Sequence, residues 1–498
     1  MSLCIRLGPR VLLRGKGVLR CFSVPQTSSY LARKIPTFHP RRSFSSEVTR
    51  ELSLPPVSQL ATLSEPEDEF WRAISLWKDV PREDFLSWKW GVKNVVEAKL
   101  GRDRKLLADN MLDFLDNVLP AEMPRHHRIG GMQSREELMG DVVSGMREST
   151  MSVRVMPYVL SRINWKDPAN DPIFQQFIPL GSIMMKDHPA LRLDSLNEQK
   201  DSPAPAVVHR YPDKALLLPT SVCPTYCLYC TRSYGIGADT ELVTKESFRT
   251  TRDRLTKAFD YIESQEGLHD IVVSGGDAFY LAPHILEWIG DRLIGMKNIE
   301  RFRIASKGLA VSPHRFLDRE DPWTDTLIRV SDKARQAGKH MALHTHFNHP
   351  NEISWVTERA SLRLMQAGMT VRNQTVLLRG VNDSVEIMET LVKRLARMGI
   401  QPYYVYQCDM VKKIEHLRTP LQTILDIESA IQGTVAGFYI PKFVVDLPEG
   451  GGKRPAALRE SYDRTTGVST FTQPSLTRGE KEGKVYRYYD PLDTLVTA

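Results

Sequence analysis

Cysteine is scarce in this chain, and long apolar runs are missing. Six cysteines in 498 residues are too few for a secreted scaffold held together by disulfides. No uncharged apolar run approaches the roughly 20 residues that a transmembrane helix needs, so no membrane span is expected. With 41% apolar and 26% charged residues, the composition is neither disordered nor collagen-like. The chain therefore belongs to the globular class and is long enough for two or three structural units.

Acidic residues are almost absent from the first 50 residues, which hold ten of the 67 Lys and Arg but only Glu47 as an acid. The formal charge of +7 therefore belongs to this segment, and no nucleic-acid partner is expected. Arg14 and Lys16 interrupt the stretch where a secretory signal would need its apolar core. The pattern predicts a presequence over residues 1–45 and a location in the mitochondrial matrix. A disordered basic tail is the alternative.

The chain beyond residue 60 changes pattern near residue 210. Residues 64–165 are expected to be mainly helical, since Phe70, Ile74 and Trp77 recur at helical spacing. A polar, proline-rich boundary or wrapped linker follows, up to about residue 210.

From residue 214 onward, short apolar runs alternate with helical segments. The predicted strands are 214–221, 270–274, 301–306, 340–346, 370–378 and 402–407. The predicted helices are 244–263, 283–294, 323–337, 355–367, 384–398 and 420–433. Repeated βα units predict an α/β fold with a parallel sheet, and six units suit a partial (β/α)6 barrel better than a complete one.

Three cysteines cluster directly after the first predicted strand, as Cys223, Cys227 and Cys230 in the spacing C-x3-C-x2-C. Three thiolates can hold three irons of a cubane 4Fe-4S cluster and leave the fourth iron open to a small molecule. A structural zinc site needs a fourth Cys or His, and none follows within thirty residues. Zinc binding or inert thiols remain the alternatives.

Two glycine-rich stretches carry further polar groups. Ser274-Gly275-Gly276-Asp277 ends the second predicted strand and by itself is a common turn. In the stretch from Asp446 to Lys453, three glycines allow the backbone to approach a ligand closely. A desolvated lysine in such a loop can form a Schiff base, whereas a solvated lysine on a flexible loop is the alternative. Arg454 and the absent first glycine argue against a phosphate-binding P-loop.

The cysteine motif, with Tyr229 before its last cysteine, resembles that of the radical S-adenosylmethionine superfamily. Over residues 85–465 the chain is similar to the lysine 2,3-aminomutase family. The stretches that carry this likeness are Ser87 to Trp90, Asn170 to Pro172, His209 to Asp213, Cys230 to Arg232, His346 to Pro350, Leu378 to Asp383 and Tyr404 to Asp409. The resemblance implies an isomerase with a 4Fe-4S cluster, S-adenosylmethionine and pyridoxal 5′-phosphate, which needs an electron-donating reductant.

The resemblance also implies roles for individual residues. The cysteines would hold the cluster, and residues 274–277 would contact S-adenosylmethionine. Lys453 would carry pyridoxal phosphate, and Arg210 with Lys214 would hold its phosphate, although the family has a second arginine at the latter position. Tyr406 would pack near both cofactors, or is simply a buried sheet tyrosine. The groups expected to bind substrate lysine are Arg232 by two parallel hydrogen bonds to the α-carboxylate, Asp194, Asp409 and Asp446.

Substrate choice depends on Asp409 and Asp446. Two carboxylates in one pocket have raised pKa values unless a cation joins them, and the ε-ammonium of lysine supplies one. The family branch that acts on glutamate has other groups here, so the acids favour lysine as the small-molecule substrate. Two unrelated acids with separate partners are the alternative.

The expected organisation has four parts. Residues 1–45 form the presequence, and residues 50–205 form an N-terminal helical region with the linker. Residues 206–415 form the radical S-adenosylmethionine partial barrel, and residues 416–498 form a C-terminal segment bearing Lys453. Several bacterial relatives carry extra C-terminal cysteines for a zinc between subunits, but this chain has no cysteine after Cys408. Interface zinc is therefore not expected, tetramer assembly is not carried over from those relatives, and any homo-oligomer would lack an interface zinc. Two alternatives in function are a related aminomutase for another amino acid and a non-catalytic iron-sulfur protein.

Overall fold

The computed structural model describes residues 68–101, 103–246, 248, 251–473 and 483–495. The presequence predicted over 1–45 lies outside these residues and stays a prediction.

A nine-stranded sheet forms the centre of the described chain. Its strands, in the order in which they lie across the sheet, are β6 (Val207–Val208), β7 (Lys214–Leu217), β8 (Asp270–Val273), β9 (Arg301–Ala305), β10 (His340–His346), β11 (Thr370–Leu377), β12 (Gln401–Gln407), β13 (Lys442–Leu447) and β14 (Gly452–Pro455). Strands β7 to β13 run parallel, and β6 and β14 pair antiparallel at the two edges.

Helices follow the parallel strands and cover the sheet. They are α7 (Arg252–Ser264), α8 (Pro283–Gly295), α9 (Gly308–Val311), α10 (Trp323–Gln336), α11 (Trp355–Gln366), α12 (Val385–Arg397) and α13 (Leu421–Ile431). In α12, for example, Met388, Leu391 and Leu395 are fully buried because they recur at helical spacing. Along β11, buried and half-buried residues alternate, so one face of the strand packs in the core and the other face is less buried.

The six predicted strands and the α/β partial-barrel fold are confirmed. Two strands were not predicted at the far edge, where β13 extends the parallel set and β14 folds back on it. The helix predicted over 244–263 was too long, since α7 begins at Arg252. Lys245 instead lies in a loop, where its Nζ donates to the carbonyl oxygens of Thr150 and Ser233.

The N-terminal region was predicted to be mainly helical, and this is wrong in part. Its helices are α1 (Arg82–Phe85), α2 (Trp88–Lys93), α3 (Asp109–Val118), α4 (Arg135–Glu148), α5 (Pro157–Leu160) and α6 (Phe174–Phe177). Its strands are β1 (Val96–Leu100), β2 (Leu106–Leu107), β3 (Glu122–Pro124), β4 (Met132–Ser134) and β5 (Val153–Val155). The residues Phe70 to Trp77 form two short 3-10 helices. Trp71 in this segment stacks on Phe85 with ring centroids 4.4 Å apart, so a tertiary contact helps to determine its conformation.

The end of the chain forms a small antiparallel sheet of β15 (Ser461–Asp463), β16 (Val468–Thr472) and β17 (Val485–Tyr489). Among the described residues, no helix combines the length and the apolar character needed to cross a membrane.

Candidate active site

Chemically distinctive side chains gather at the edge of the sheet where the parallel strands end. The cysteine loop follows β7, residues 274–277 follow β8, Asp409 follows β12, and Asp446 lies near the end of β13. In parallel sheets this edge holds the ligand-binding loops.

The three cysteines of the loop after β7 are free and half-buried. Burial raises the pKa of all three thiols, that of Cys227 to about 11. A negative charge on one of these thiols would further raise the pKa of its neighbours in the loop. Buried thiols with raised pKa values need a bound cation to become thiolates.

Cationic side chains lie near each thiol and favour its thiolate form. Arg154 acts on Cys223, Lys307 on Cys227, and Arg232 with Lys245 on Cys230. Within the described ranges, no three His, Cys, Asp or Glu side chains are arranged to hold one metal ion. In a cubane cluster each thiolate binds a different iron, so the three need not converge on one ion. Three thiols on one loop are a donor set that fits a cubane cluster with one open iron.

The glycines after β8 allow a close approach to the cysteine loop. A Cβ on Gly275, which has φ of +90°, would lie 2.4 Å from Thr220 O, and one on Gly276 would lie 2.5 Å from Val222 O. Asp277 accepts hydrogen bonds from the backbone N–H groups of Phe279 and Lys307. Burial raises the pKa of Asp277 to about 6. These residues shape the support beneath the cysteines, and their contact with S-adenosylmethionine stays a prediction.

Lys453 faces Asp446 across the β13–β14 hairpin, and the two are Cα partners in its register. Lys453 Nζ donates to Asp446 Oδ2 at 2.7 Å, and its backbone N–H donates to Tyr211 Oη at 2.8 Å. The Nζ lies 5.6 Å from the ring centroid of Tyr406. Burial disfavours the ammonium, but the charge of Asp446 outweighs it and raises the pKa of Lys453. The lysine thus lies between an acid and aromatic rings, a setting that fits a covalently held ring cofactor.

Asp409 follows β12 and Asp446 lies near the end of the neighbouring strand β13, and their joint role in binding substrate stays a prediction. Burial and then the charge of Asp446 raise the pKa of Asp409 well above its ordinary value, while Lys453 opposes this. Among the described residues, Asp409 Oδ1 and Asp446 Oδ1 are buried without a hydrogen-bond donor. Arg210 Nη1 lies 3.8 Å from Asp446 Oδ1, so Asp409 Oδ1 is the position in the pair with capacity for a further cation.

The two cations predicted to hold the cofactor phosphate differ in their surroundings. Arg210 is buried and donates through Nε to Asp201 Oδ2 at 2.9 Å and through Nη2 to Leu196 O at 2.5 Å. Lys214 is 40% exposed and lies 4.2 Å from the ring centroid of Tyr211. Burial lowers the pKa of Lys214. Lys214 can thus reach an anion from a more open position than Arg210.

Arg232 has a partner that the sequence did not reveal. Its Nε and Nη2 donate to the two carboxylate oxygens of Glu198, both at 2.7 Å, and its Nη1 lies 3.4 Å from Ser274 Oγ. Glu198 thus occupies the Nε–Nη2 edge of the guanidinium. A substrate carboxylate making two parallel hydrogen bonds must use the other edge. No spacing in the sequence links residues 198 and 232, so this pair was missed.

Asp194 was also predicted to bind substrate. Its carboxylate oxygens accept hydrogen bonds from the backbone N–H groups of Glu198 and Gln199, at 2.9 and 3.0 Å. Burial raises the pKa of Asp194. Its contacts in the structure hold the turn that carries Glu198, and its contact with substrate stays a prediction.

Several curated proteins are similar to this chain. The L-lysine 2,3-aminomutase of Clostridium subterminale is 34% identical over 413 residues, which cover 81% of this chain and 88% of the relative. The L-lysine 2,3-aminomutase of Bacillus subtilis is 34% identical over 396 residues, covering 79% and 73%. The glutamate 2,3-aminomutase of Clostridioides difficile is 32% identical over 301 residues, covering 60% and 66%.

Among solved structures, Streptococcus suis SuiB bound to S-adenosylmethionine matches 47% of this chain and 50% of its own, with a TM-score of 0.34 and 12% identity. No protein-family model matches the chain.

Proposed function

This chain belongs to the lysine 2,3-aminomutase family, and from that premise we propose that it is an isomerase interconverting L-lysine and β-lysine. The reaction moves an amino group between neighbouring carbons. The proposed cofactors are a 4Fe-4S cluster, S-adenosylmethionine and pyridoxal 5′-phosphate, with an external electron donor.

The observation that carries this proposal is the acid pair beside Lys453. Asp409 and Asp446 are buried, and each has one carboxylate oxygen without a hydrogen-bond donor among the described residues, although Arg210 Nη1 lies 3.8 Å from that oxygen of Asp446. A side chain ending in an ammonium group would be bound there, because buried carboxylates are stabilised by a desolvated cation. A side chain ending in a carboxylate would be repelled, so the pair favours lysine over glutamate.

The cofactors, when bound, supply a carbon-centred radical that removes a hydrogen atom and a conjugated ring through which the nitrogen migrates. The residues of this chain bind and orient. Cys223, Cys227 and Cys230 hold the cluster, and Lys453 holds pyridoxal phosphate covalently.

The remaining predicted residues fix the ligands around these two anchors. Residues 274–277 place S-adenosylmethionine beside the cluster loop, and Arg210 with Lys214 balances the cofactor phosphate. Arg232 binds the α-carboxylate, while Asp409 and Asp446 bind the ε-ammonium. Tyr406 covers the Lys453 amine and limits the access of water. Holding both ends of the substrate fixes its reacting carbons relative to the ring, which is the main contribution of a protein to this kind of chemistry.

We further propose that residues 1–45 direct the chain to the mitochondrial matrix. The support is the basic, acid-poor composition of that segment. Import of a fusion of residues 1–50 to a reporter tests this, and a cytosolic reporter would contradict it. We also propose that any homo-oligomer of this chain lacks an interface zinc, because the chain has no cysteine beyond Cys408.

The experiment that tests the function is anaerobic reconstitution with iron, sulfide and pyridoxal phosphate, followed by incubation with S-adenosylmethionine and a reductant. Lysine, glutamate and other α-amino acids are compared by chromatography of the products. We expect β-lysine from lysine and no β-glutamate from glutamate.

The Lys453→Ala variant should keep its cluster and lose both covalent cofactor and product. If product forms only from another amino acid, that amino acid replaces lysine as the proposed substrate. A loaded enzyme that converts none of them would favour a non-catalytic iron-sulfur protein.

A further inference from the structure

The loop of residues 194–201, which we call the acidic loop, contacts three parts of the candidate site. Its Glu198 binds Arg232, and its Asp201 binds Arg210. The carbonyl oxygen of Ser195 accepts a hydrogen bond from the backbone N–H of Glu449 at 2.8 Å, in the glycine-rich loop before Lys453. One short segment therefore touches both predicted ligand-binding arginines and the loop that precedes Lys453.

Both arginines are held by the same side of the guanidinium. In Arg232 the Nε and Nη2 atoms are engaged by Glu198, and in Arg210 they are engaged by Asp201 and the carbonyl oxygen of Leu196. In each case Nη1 points away from the loop. Arg232 Nη1 lies 3.4 Å from Ser274 Oγ, and Arg210 Nη1 lies 3.8 Å from Asp446 Oδ1. The acidic loop thus directs both Nη1 atoms towards the site.

The Glu198–Arg232 pair is firmly held. Glu198 is 3% exposed, and its Oε2 also accepts a hydrogen bond from Tyr234 Oη at 3.1 Å. Burial disfavours the charged form of both side chains, but the attraction between the two opposite charges outweighs this effect. The pKa of Glu198 is therefore lowered and the pKa of Arg232 is raised. An incoming carboxylate therefore meets an arginine whose inner edge is already filled by a charged, buried partner.

We propose that Glu198 is a positioning residue that presents the Nη1 side of Arg232, next to Ser274, to the α-carboxylate of the substrate. This rests on the proposed function and names the side of the arginine that reads the substrate. Glu198 acts through Arg232 and does not itself touch the substrate. Without it, the guanidinium can rotate about its stem and its two edges become interchangeable. Binding of the substrate carboxylate would then have to restrict this rotation, so the substrate would bind less tightly.

The test compares Glu198→Gln with Tyr234→Phe, a milder change that removes only the hydroxyl donor to Glu198. Lys200→Ala, at an exposed position of the same loop, is the matched control. Each protein is reconstituted in full, and the KM and kcat for lysine are measured together with inhibition by lysinamide, which lacks the carboxylate.

For Glu198→Gln we expect the lysine KM to rise by about tenfold or more, a loss typical when the partner of a ligand-binding group is removed. The kcat should change by less than about threefold, since the chemistry is unaltered once substrate is bound. Tyr234→Phe should raise the KM in the same direction by a smaller factor. Inhibition by lysinamide should be as in the parent protein.

An unchanged lysine KM in both Glu198→Gln and Tyr234→Phe would overturn the proposal. An equal loss for lysine and lysinamide would also overturn it, because general damage to the site does not depend on the carboxylate. If the parent protein converts no lysine, the proposed function fails first, so the two failures are distinguishable.

Discussion

Lys453 Nζ lies 2.7 Å from Asp446 Oδ2, and the two residues face each other in the β13–β14 hairpin. The lysine assigned to the cofactor thus binds the same carboxylate that is assigned to the ammonium of the substrate. Two ammonium groups cannot share one carboxylate oxygen without repulsion. A cofactor attached to the Lys453 amine would remove this ammonium partner from Asp446, and the partner would return whenever the lysine is released.

The attachment of pyridoxal phosphate should depend on pH in a way that Asp446 controls. The amine must be neutral to attack a carbonyl, and Asp446 raises the pKa of Lys453 against the effect of burial. In Asp446→Asn the raising influence is lost and burial lowers the pKa. The neutral fraction at pH 7 to 8 then increases, so attachment should be faster, and the rise of its rate with pH should shift to lower pH.

Stopped-flow absorbance of the lysine-bound cofactor measures this profile. Asp253→Asn is a suitable control, because it removes the acid of an exposed Asp–Lys pair in which the acid is 77% exposed. Superimposable profiles for Asp446→Asn and the parent would contradict the assigned ion pair.

Lysine preference should reside in the acid pair. Leaving the ammonium without its acids costs on the order of 2 to 5 kcal/mol for a desolvated pair, which corresponds to roughly 30-fold or more in lysine use. The Asp409→Asn, Asp446→Asn double variant should therefore show kcat/KM for lysine lowered by at least that factor, at unchanged cluster content and final pyridoxal loading. Turnover at the parent rate would mean that these acids do not bind the ε-ammonium.

Each cysteine of the triad should be essential for the cluster. Replacing Cys223, Cys227 or Cys230 by alanine leaves one iron without its thiolate, so iron content and the electron paramagnetic resonance signal of the reduced cluster should be lost. Cys408→Ala, which changes a buried cysteine outside the triad in the hydrophobic cluster next to Cys227, should retain both. Cleavage of S-adenosylmethionine by the triple variant would refute the cluster assignment.

Gly276→Ala should disturb the cysteine loop through a clash with the backbone of Val222. Its Cβ would lie 2.5 Å from Val222 O, so the backbone just before Cys223 must shift, at a cost on the order of 1 to 3 kcal/mol. We expect a lower melting temperature and reduced iron content. Gly295→Ala is the control, because no atom lies within 4 Å of its Cβ. Equal iron content in both variants would show that this contact does not support the cluster site.

The sequence predicted the barrel well because each βα unit carries its own local pattern. In β11 the alternation of buried and half-buried residues is visible in the sequence, and strand β10 ends where it was predicted to end, at His346. The N-terminal region was harder, since β1 pairs with β5 more than fifty residues away. Such pairing depends on tertiary contacts, which override local helical spacing.

The candidate site was predictable where its parts lie close in sequence. The cysteine triad and the Asp446 to Lys453 stretch are local, and the structure places Asp446 against Lys453. The partners of Arg232 and Arg210 were not predictable, because Glu198 and Asp201 lie in a polar, irregular segment with no periodic pattern. Only the folded chain brings these acids to the arginines.

The β13–β14 hairpin has a consequence for how the enzyme can be altered. Because neighbouring residues of a strand point to opposite faces, a slip of one residue in its pairing turns Lys453 away from Asp446. The length of the connection between the strands is therefore tightly constrained, and so is its composition at the buried Gly451, where a Cβ would lie 2.7 Å from Leu447 Cβ. Insertions or deletions of a single residue there should inactivate the protein, whereas exchange of the whole hairpin would transfer the cofactor anchor and one of the two acids together, as one inheritable unit.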